Sequence, residues 1–254
     1  MTLPVAFPVR LDAPLGRIDP RWKLAAVVPA AAVVGALQTL GPALAATAGA
    51  AVLALMARLP PRWFAARLGT LVAVLALFLV FLPFTEYRDE ARWDVGPVSL
   101  SPLGLERAAV LLLKAAALLT LLLATAVTAP MDVHLKALHS LRMPAVVVTV
   151  AALTLRYLSV LLGEFATIRI ALRVRGYRQR LTLDSLRTVG HVSGMLLVRA
   201  SERAERVGQA LRCRGFDGRF HSLTAFVTRR RDMLFFAVVL AAAAGLLAWD
   251  VLQR

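Results

Sequence analysis

Apolar side chains collect into six stretches along the chain: Leu24 to Leu40, Ala43 to Ala57, Leu68 to Phe84, Ala108 to Val127, Ala145 to Leu162 and Met233 to Val251. The first two are short for a bilayer, which takes about 20 residues to cross. Gly41-Pro42 separates them, and they read as a tight helical hairpin in preference to one broken helix. Between the third and fourth stretches, Thr85 to Leu105 carries Glu86, Asp89, Glu90 and Asp94 against Arg88 and Arg92, so this loop is expected outside. Arg58 to Arg67 holds three arginines and no acid, and the N-terminal arm is basic near Arg17, Arg21 and Lys23, so both are expected inside.

Parity then bears on the fifth stretch. Two spans return to the inside at Arg58, the third reaches the acidic loop, and the fourth comes back near Ala129. If Ala145 to Leu162 also crossed, the strongly cationic block that follows would lie outside, against the charge bias. Arg156 stands in the middle of this stretch with Tyr157 and Ser159 after it, which is costly in lipid. It is therefore expected to be the apolar half of a long helix, from about Pro144 to Arg175, lying under or against the membrane domain. A second long helix is predicted over Leu183 to Arg214. Leu186, Val189, Leu196, Ala200, Ala204, Val207 and Leu211 share one face there, and Arg199, Glu202, Glu205 and Arg206 lie opposite. Thr182 or Asp184 is suited to cap its start.

Composition agrees with a membrane protein. The chain is 59% hydrophobic and 18% charged, against about 45–50% and about 25% in soluble domains. The net charge of +15 would suit a nucleic-acid binder, but residues 164–231 hold 15 of the 30 basic side chains and only five acids. A cationic block beside apolar spans fits cytoplasmic retention better than a nucleic-acid surface. The lone Cys213 excludes a disulfide framework. The N-terminal arm has four prolines before Trp22 and no continuous apolar core, so it does not read as a cleavable signal peptide.

The most informative motif is a near repeat. Ala171-Leu172-Arg173-Val174-Arg175-Gly176-Tyr177 recurs as Ala210-Leu211-Arg212-Cys213-Arg214-Gly215-Phe216, 39 residues on. Each copy ends a predicted helix, where glycine with φ > 0 can close the last turn and arginine complements the macrodipole. Helix stopping explains the arginine and glycine, but not the repeated Ala-Leu-Arg or the aromatic. Two equivalent helix ends suggest two equivalent sockets on a dimeric partner.

These helix ends, with Glu202-Arg203-Ala204-Glu205-Arg206-Val207 before the second and Arg214-Gly215-Phe216-Asp217-Gly218-Arg219-Phe220-His221 after it, resemble the transmembrane coupling subunit of energy-coupling factor transporters, in particular its CbiQ branch for cobalt uptake. The resemblance covers essentially the whole chain. It implies an all-α integral membrane protein with about five spanning helices and two long cytoplasmic coupling helices, in the multi-pass setting of the cell inner membrane with the N-terminus cytoplasmic. It divides the chain into a membrane domain at 1–129, a coupling region at 130–231 and a last span at 232–254. Arg173, Arg175 and Gly176, with Arg212, Arg214 and Gly215, are the expected ATPase-coupling residues. The implied partners are two ABC-type ATPase subunits (CbiO-like), a substrate-capture membrane subunit (CbiM-like) and a small accessory membrane subunit (CbiN-like). The chain itself is expected to be non-catalytic and to hold no cofactor, with ATP and Mg on the ATPases. The family pattern has alanine where this chain has Val174 and Cys213.

Other residues carry less. His134 and His139 are five apart and share no helix face cleanly, so no metal site is expected on this chain. No Gly-x-x-x-x-Gly-Lys-Ser/Thr loop is present, so the usual phosphate cradle is missing. Lys114 within the fourth stretch is either a transport residue or a snorkelling lysine. Residues 130–138 suggest a short interfacial amphipathic helix. The alternatives are a self-sufficient permease or channel, for which Lys114 is the one outstanding polar group in the spans, and the same coupling role in a nickel or vitamin transporter.

Overall fold

The computed structural model describes residues 12–79, 93–95, 98–100, 102–178, 180, 182–216, 218 and 228–253. The acidic connection predicted at Thr85 to Leu105 lies largely outside these residues; within it, Trp93–Val95 (β1) and Val98–Leu100 (β2) form a short antiparallel pair. The protein is an all-α membrane protein. Its helices are α1 (Pro20–Ala36), α2 (Leu40–Met56), α3 (Pro61–Leu79), α4 (Pro102–Val127), α5 (Met131–Ser140), α6 (Ala145–Val174), α7 (Leu183–Cys213) and α8 (Arg230–Leu252), preceded by a 3-10 turn at Pro14–Arg17. Among the described residues, Glu106–Val127, Ala145–Val174 and Arg230–Leu252 are long and apolar enough to cross a membrane.

The chain divides into two compact units, one at 142–224 that contains α6 and α7, and a bundle of the other helices. In the bundle, polar contacts fix the helix directions. Asp232, at the start of α8, accepts a hydrogen bond from the backbone N–H of Asp19, which precedes α1 (3.2 Å). Asp250, near the end of α8, accepts from the N–H groups of Gln38 and Thr39, which follow α1 (2.9 Å each). Helices α1 and α8 therefore run parallel. Lys114, midway along α4, donates to the Leu37 carbonyl (2.6 Å), while Thr128, just past α4, accepts from Lys23 Nζ (3.2 Å), so α4 runs antiparallel to α1. Ala57, after α2, packs with Leu15, Ala124 and Phe235, which brings α2 back to the end where α1 and α8 begin.

The core at mid-bundle joins Val34 and Leu37, Ala46 and Ala50, and Ala117 and Leu121. Small side chains suit a membrane bundle, where close backbone approach replaces hydrophobic driving force. The break between α1 and α2 falls at Leu37–Thr39 rather than at Gly41-Pro42. Proline is tolerated in a first helical turn, whose N–H groups have no intrahelical partner, so Gly41 and Pro42 lie inside α2. The two helices are antiparallel, yet α2 packs mainly along α4 and α1 mainly along α8. Helix α5 packs on α1 and belongs to the bundle unit.

Candidate functional site

The two copies of the repeat adopt one backbone design. At the end of α6, Gly176 has φ +80°, its N–H donates to the Arg173 carbonyl, and Tyr177 N–H donates to the Leu172 carbonyl, both at 3.0 Å. At the end of α7, Gly215 has φ +71°, its N–H donates to Arg212, and Phe216 N–H donates to Leu211, again at 3.0 Å. This double bond pattern is the Schellman motif, which satisfies carbonyls that a helix end leaves open. Leu172 and Tyr177 are half-buried, as are Leu211 and Phe216. An apolar contact between these two positions commonly accompanies the motif. Helix stopping thus accounts for the leucine and the aromatic as well as the glycine, which corrects the narrower role expected from sequence. The closing bonds use backbone groups, and the arginine side chains stay exposed.

Arg173, Arg175, Arg212 and Arg214 are all exposed, and so are Val174, Cys213 and both glycines. Each helix end is a cationic tip with an apolar anchor beneath it. In the second copy Arg212 Nε also donates to the Gly208 carbonyl at 3.3 Å.

Within this unit α6 and α7 run antiparallel. Thr149 Oγ1 donates to the Gly218 carbonyl (3.3 Å), Arg203 pairs with Glu164, and Tyr177 Oη donates to the Ser185 carbonyl (3.4 Å). The sums of the paired residue numbers stay nearly constant, as an antiparallel pair requires. The two cationic tips therefore point to opposite ends of the helix pair. Leu153, Tyr157 and Leu161 of α6 face Ala204, Val207 and Leu211 of α7 across a cleft of about 270 Å³. The C-terminal half of the predicted apolar stripe on α7 is thereby used. Its N-terminal half is not: Leu186 is 69% exposed and Val189 52%, and Val146, Val147 and Val150 on α6 are also exposed. In the antiparallel pair these two exposed apolar groups lie at opposite ends, each at the start of its own helix. Thr182, rather than Asp184, caps α7 by accepting from Ser185 N–H (3.3 Å).

Lys114 is engaged at the end of α1, where its ammonium takes up a carbonyl that the helix leaves open. Sequence reasoning used Lys23 only as a topological charge and passed over Asp232 and Asp250; the three are 2%, 2% and 1% exposed. Asp250 accepts from Thr39 Oγ1 (2.7 Å) in addition to the two N–H groups, and Asp232 also accepts from Arg229 N–H (2.8 Å). The signal for Asp250 was present, a carboxylate in the last turn of a span, where an ionised group demands a partner. His134, on α5, is held below the ordinary imidazole value by burial first and by the nearby Lys23 ammonium second, opposed by the Thr125 backbone and Asp132. Among the described residues no three His, Cys, Asp or Glu side chains gather as a metal site.

The pattern of the CbiQ family, described as cobalt transport proteins, matches residues 12–224. The chain is also 32% identical over 204 residues to the cobalt transport protein CbiQ of Rhodobacter capsulatus, covering 77% of this chain and 76% of that protein. The chain belongs to the CbiQ family. As a CbiQ-family protein it is a membrane-embedded transport protein, and the family is not a class of enzymes. The family match ends at residue 224 and so contains both Arg–Gly helix ends as well as α1 to α5.

Proposed function

We propose that this CbiQ-family protein is the transmembrane coupling subunit of an energy-coupling factor importer for cobalt, joining two ATP-binding-cassette subunits to a substrate-capture membrane subunit. The observation that carries this reading is the shared construction of the two helix ends: the same Schellman closure, the same half-buried Leu–aromatic pair and the same exposed arginines. Two sites of one design fit two copies of one partner. Arg173, Arg175, Arg212 and Arg214 then meet carboxylates in a groove of each ATPase, where partial desolvation strengthens the pairing over a surface ion pair. ATP and Mg belong to those subunits. Their closure on nucleotide moves the two tips, and the exposed apolar faces of α6 and α7 pass that movement to the capture subunit, with which a small accessory subunit associates.

The bundle supports a five-span arrangement of α1, α2, α3, α4 and α8. The end of α4 and the start of α8 meet the same end of α1, so the segment between them leaves and re-enters at one membrane face. An even number of crossings between α4 and α8 follows, and none is required. The cationic block then lies on the cytoplasmic side with the N-terminus. Charged groups in the bundle that a self-sufficient permease would need for a pathway are engaged at helix ends instead: the half-buried Lys114 at α1, and the buried Asp250 at α2 and Asp232 at α8.

The test is ATPase co-purification and ion uptake for Arg175→Glu, Arg214→Glu and the double variant at matched membrane expression, with cobalt and nickel compared. Removing one partner of a buried hydrogen-bonded charge pair costs about 2–5 kcal/mol. Each single change should therefore impair assembly or uptake and the double change abolish it. Normal ATPase retention and uptake in the double variant would remove the coupling role from these residues.

A further inference from the structure

The bundle leaves an apolar groove of about 700 Å³ between α1, α2 and α8. That volume is within the range of about 300–1,000 Å³ typical of small-molecule sites. It exists because the facing positions are small: Gly49 and Ala50 on α2, and Ala242 and Gly245 on α8, leave space that larger side chains would close. A Cβ placed on Gly49 or Gly245 would meet nothing within 4 Å. The groove runs along helices of a membrane protein, so its surroundings are acyl chains.

One end of the groove is rimmed by cations. Leu234 and Phe235 line it on α8, and Arg230 and Arg231 stand one helical turn before them, both exposed. Residues four apart on a helix share a face, which puts Arg230 and Arg231 on the side of α8 that lines the groove, one turn beyond its last lining residues. On the α2 side the last lining residue is Met56, and Arg58, also exposed, follows two residues later. Ala57 packing with Phe235 brings the two rims to the same end of the bundle. The nearby Asp232 is buried, accepts from the Asp19 and Arg229 N–H groups, and has the buried Lys23 ammonium close by to offset its charge.

Arg58 adds an independent observation. It has φ +49°, its N–H donates to the Leu55 carbonyl (3.0 Å), and Leu59 N–H donates to Ala54 (3.4 Å). This is the closure seen at Gly176 and Gly215, but with arginine in the left-handed position that penalises a Cβ. Non-glycine residues held in this conformation tend to cluster at ligand clamps and other functional positions.

We propose that this groove binds an anionic phospholipid of the bilayer, with an acyl chain between α2 and α8 and the phosphate held by Arg58, Arg230 and Arg231. Arginine is the residue suited to bidentate phosphate contacts, and basic pockets at the membrane face of helix bundles select anionic headgroups. This site lies within the bundle and does not rest on the ATPase-coupling role.

Native mass spectrometry of the full chain in detergent, with added phosphatidylglycerol or phosphatidylcholine of matched chain length, tests it. The wild-type chain should retain phosphatidylglycerol about tenfold to hundredfold better. Arg58→Gln, Arg230→Gln and Arg231→Gln combined should abolish the preference, and the corresponding triple lysine variant should keep most of it. Gly245→Leu should fill the groove and lower retention of both lipids; if it fails to fold, the glutamine and lysine variants decide alone. Equal retention of the two lipids by wild type, or a preference that survives the triple glutamine change, overturns the proposal. So does a photo-crosslinker at position 245 in whole membranes that captures a protein segment instead of lipid.

Discussion

Glu164 on α6 and Arg203 on α7 pair with each other and occupy equivalent positions of the 39-residue repeat, each eleven residues before the Arg175 or Arg214 of its own helix end. At about 1.5 Å per residue, each cationic tip lies about 16 Å along its helix from this bridge. The antiparallel pair therefore has a local pseudo-two-fold relationship, and the ion pair sits on its axis. Geometry of this kind places two like tips at equal reach on opposite sides.

Both partners are less than one third exposed, so the bridge is worth more than a fully solvated pair. Glu164→Gln or Arg203→Gln should each destabilise the α6–α7 pair by about 1–2 kcal/mol. The exchange Glu164→Arg with Arg203→Glu should recover most of that loss. Spin-label distances between positions 175 and 214 are the measurement: broadened in either single variant, restored in the exchange. A distribution unmoved by the single changes would show that apolar packing alone sets the angle.

The helix-end glycines and arginines should separate cleanly. Gly176→Ala and Gly215→Ala force a Cβ into the left-handed region and should each cost about 1–2 kcal/mol, to a similar extent because φ is similar. Arg175→Ala and Arg214→Ala leave the backbone closure intact and should change stability by less than about 1 kcal/mol. Thermal unfolding in detergent checks both, and a large loss of stability from the arginine variants would assign them a structural role.

Asp250→Ala should destabilise the bundle by about 1–3 kcal/mol, because the N–H groups of Gln38 and Thr39 and the Thr39 hydroxyl lose their acceptor. Lys114→Met should cost a similar amount by leaving the Leu37 carbonyl open. Both should lower the unfolding temperature while leaving the preference among transported ions unchanged. A changed ion preference for Lys114→Met would return that lysine to a transport pathway.

His134 should make the bundle acid-sensitive. Its folded value lies below the ordinary imidazole value of 6.5, so between the two the unfolded chain binds the extra proton. Stability then rises with pH through that window. The contribution is fully present above about pH 6.5, is lost as pH falls toward the folded value, and falls no further below it. His134→Leu should flatten this part of the stability curve, measured by denaturation between pH 5 and 8 on the order of one unit per step. An unchanged slope would place the acid sensitivity elsewhere.

From sequence alone, the membrane class followed from apolar stretches too long and too many for a soluble core, and the two long helices from periodicity and stop signals. The repeat at Arg175-Gly176 and Arg214-Gly215 was likewise legible, because a helix end is a local event governed by a few residues. The buried polar contacts were not. Asp250 reaches Thr39 across 211 residues and Lys23 reaches Thr128 across 105, and no local pattern carries such pairings. Nor did sequence show that Gly41 and Pro42 fall within the first turn of α2, since proline breaks a helix interior yet suits a helix start, and the residues just before this start are held by Asp250 of the distant α8. The antiparallel arrangement of α6 and α7, with Glu164 facing its repeat-equivalent Arg203, likewise had to come from tertiary structure: helix periodicity specifies which face is apolar, and packing specifies what that face meets.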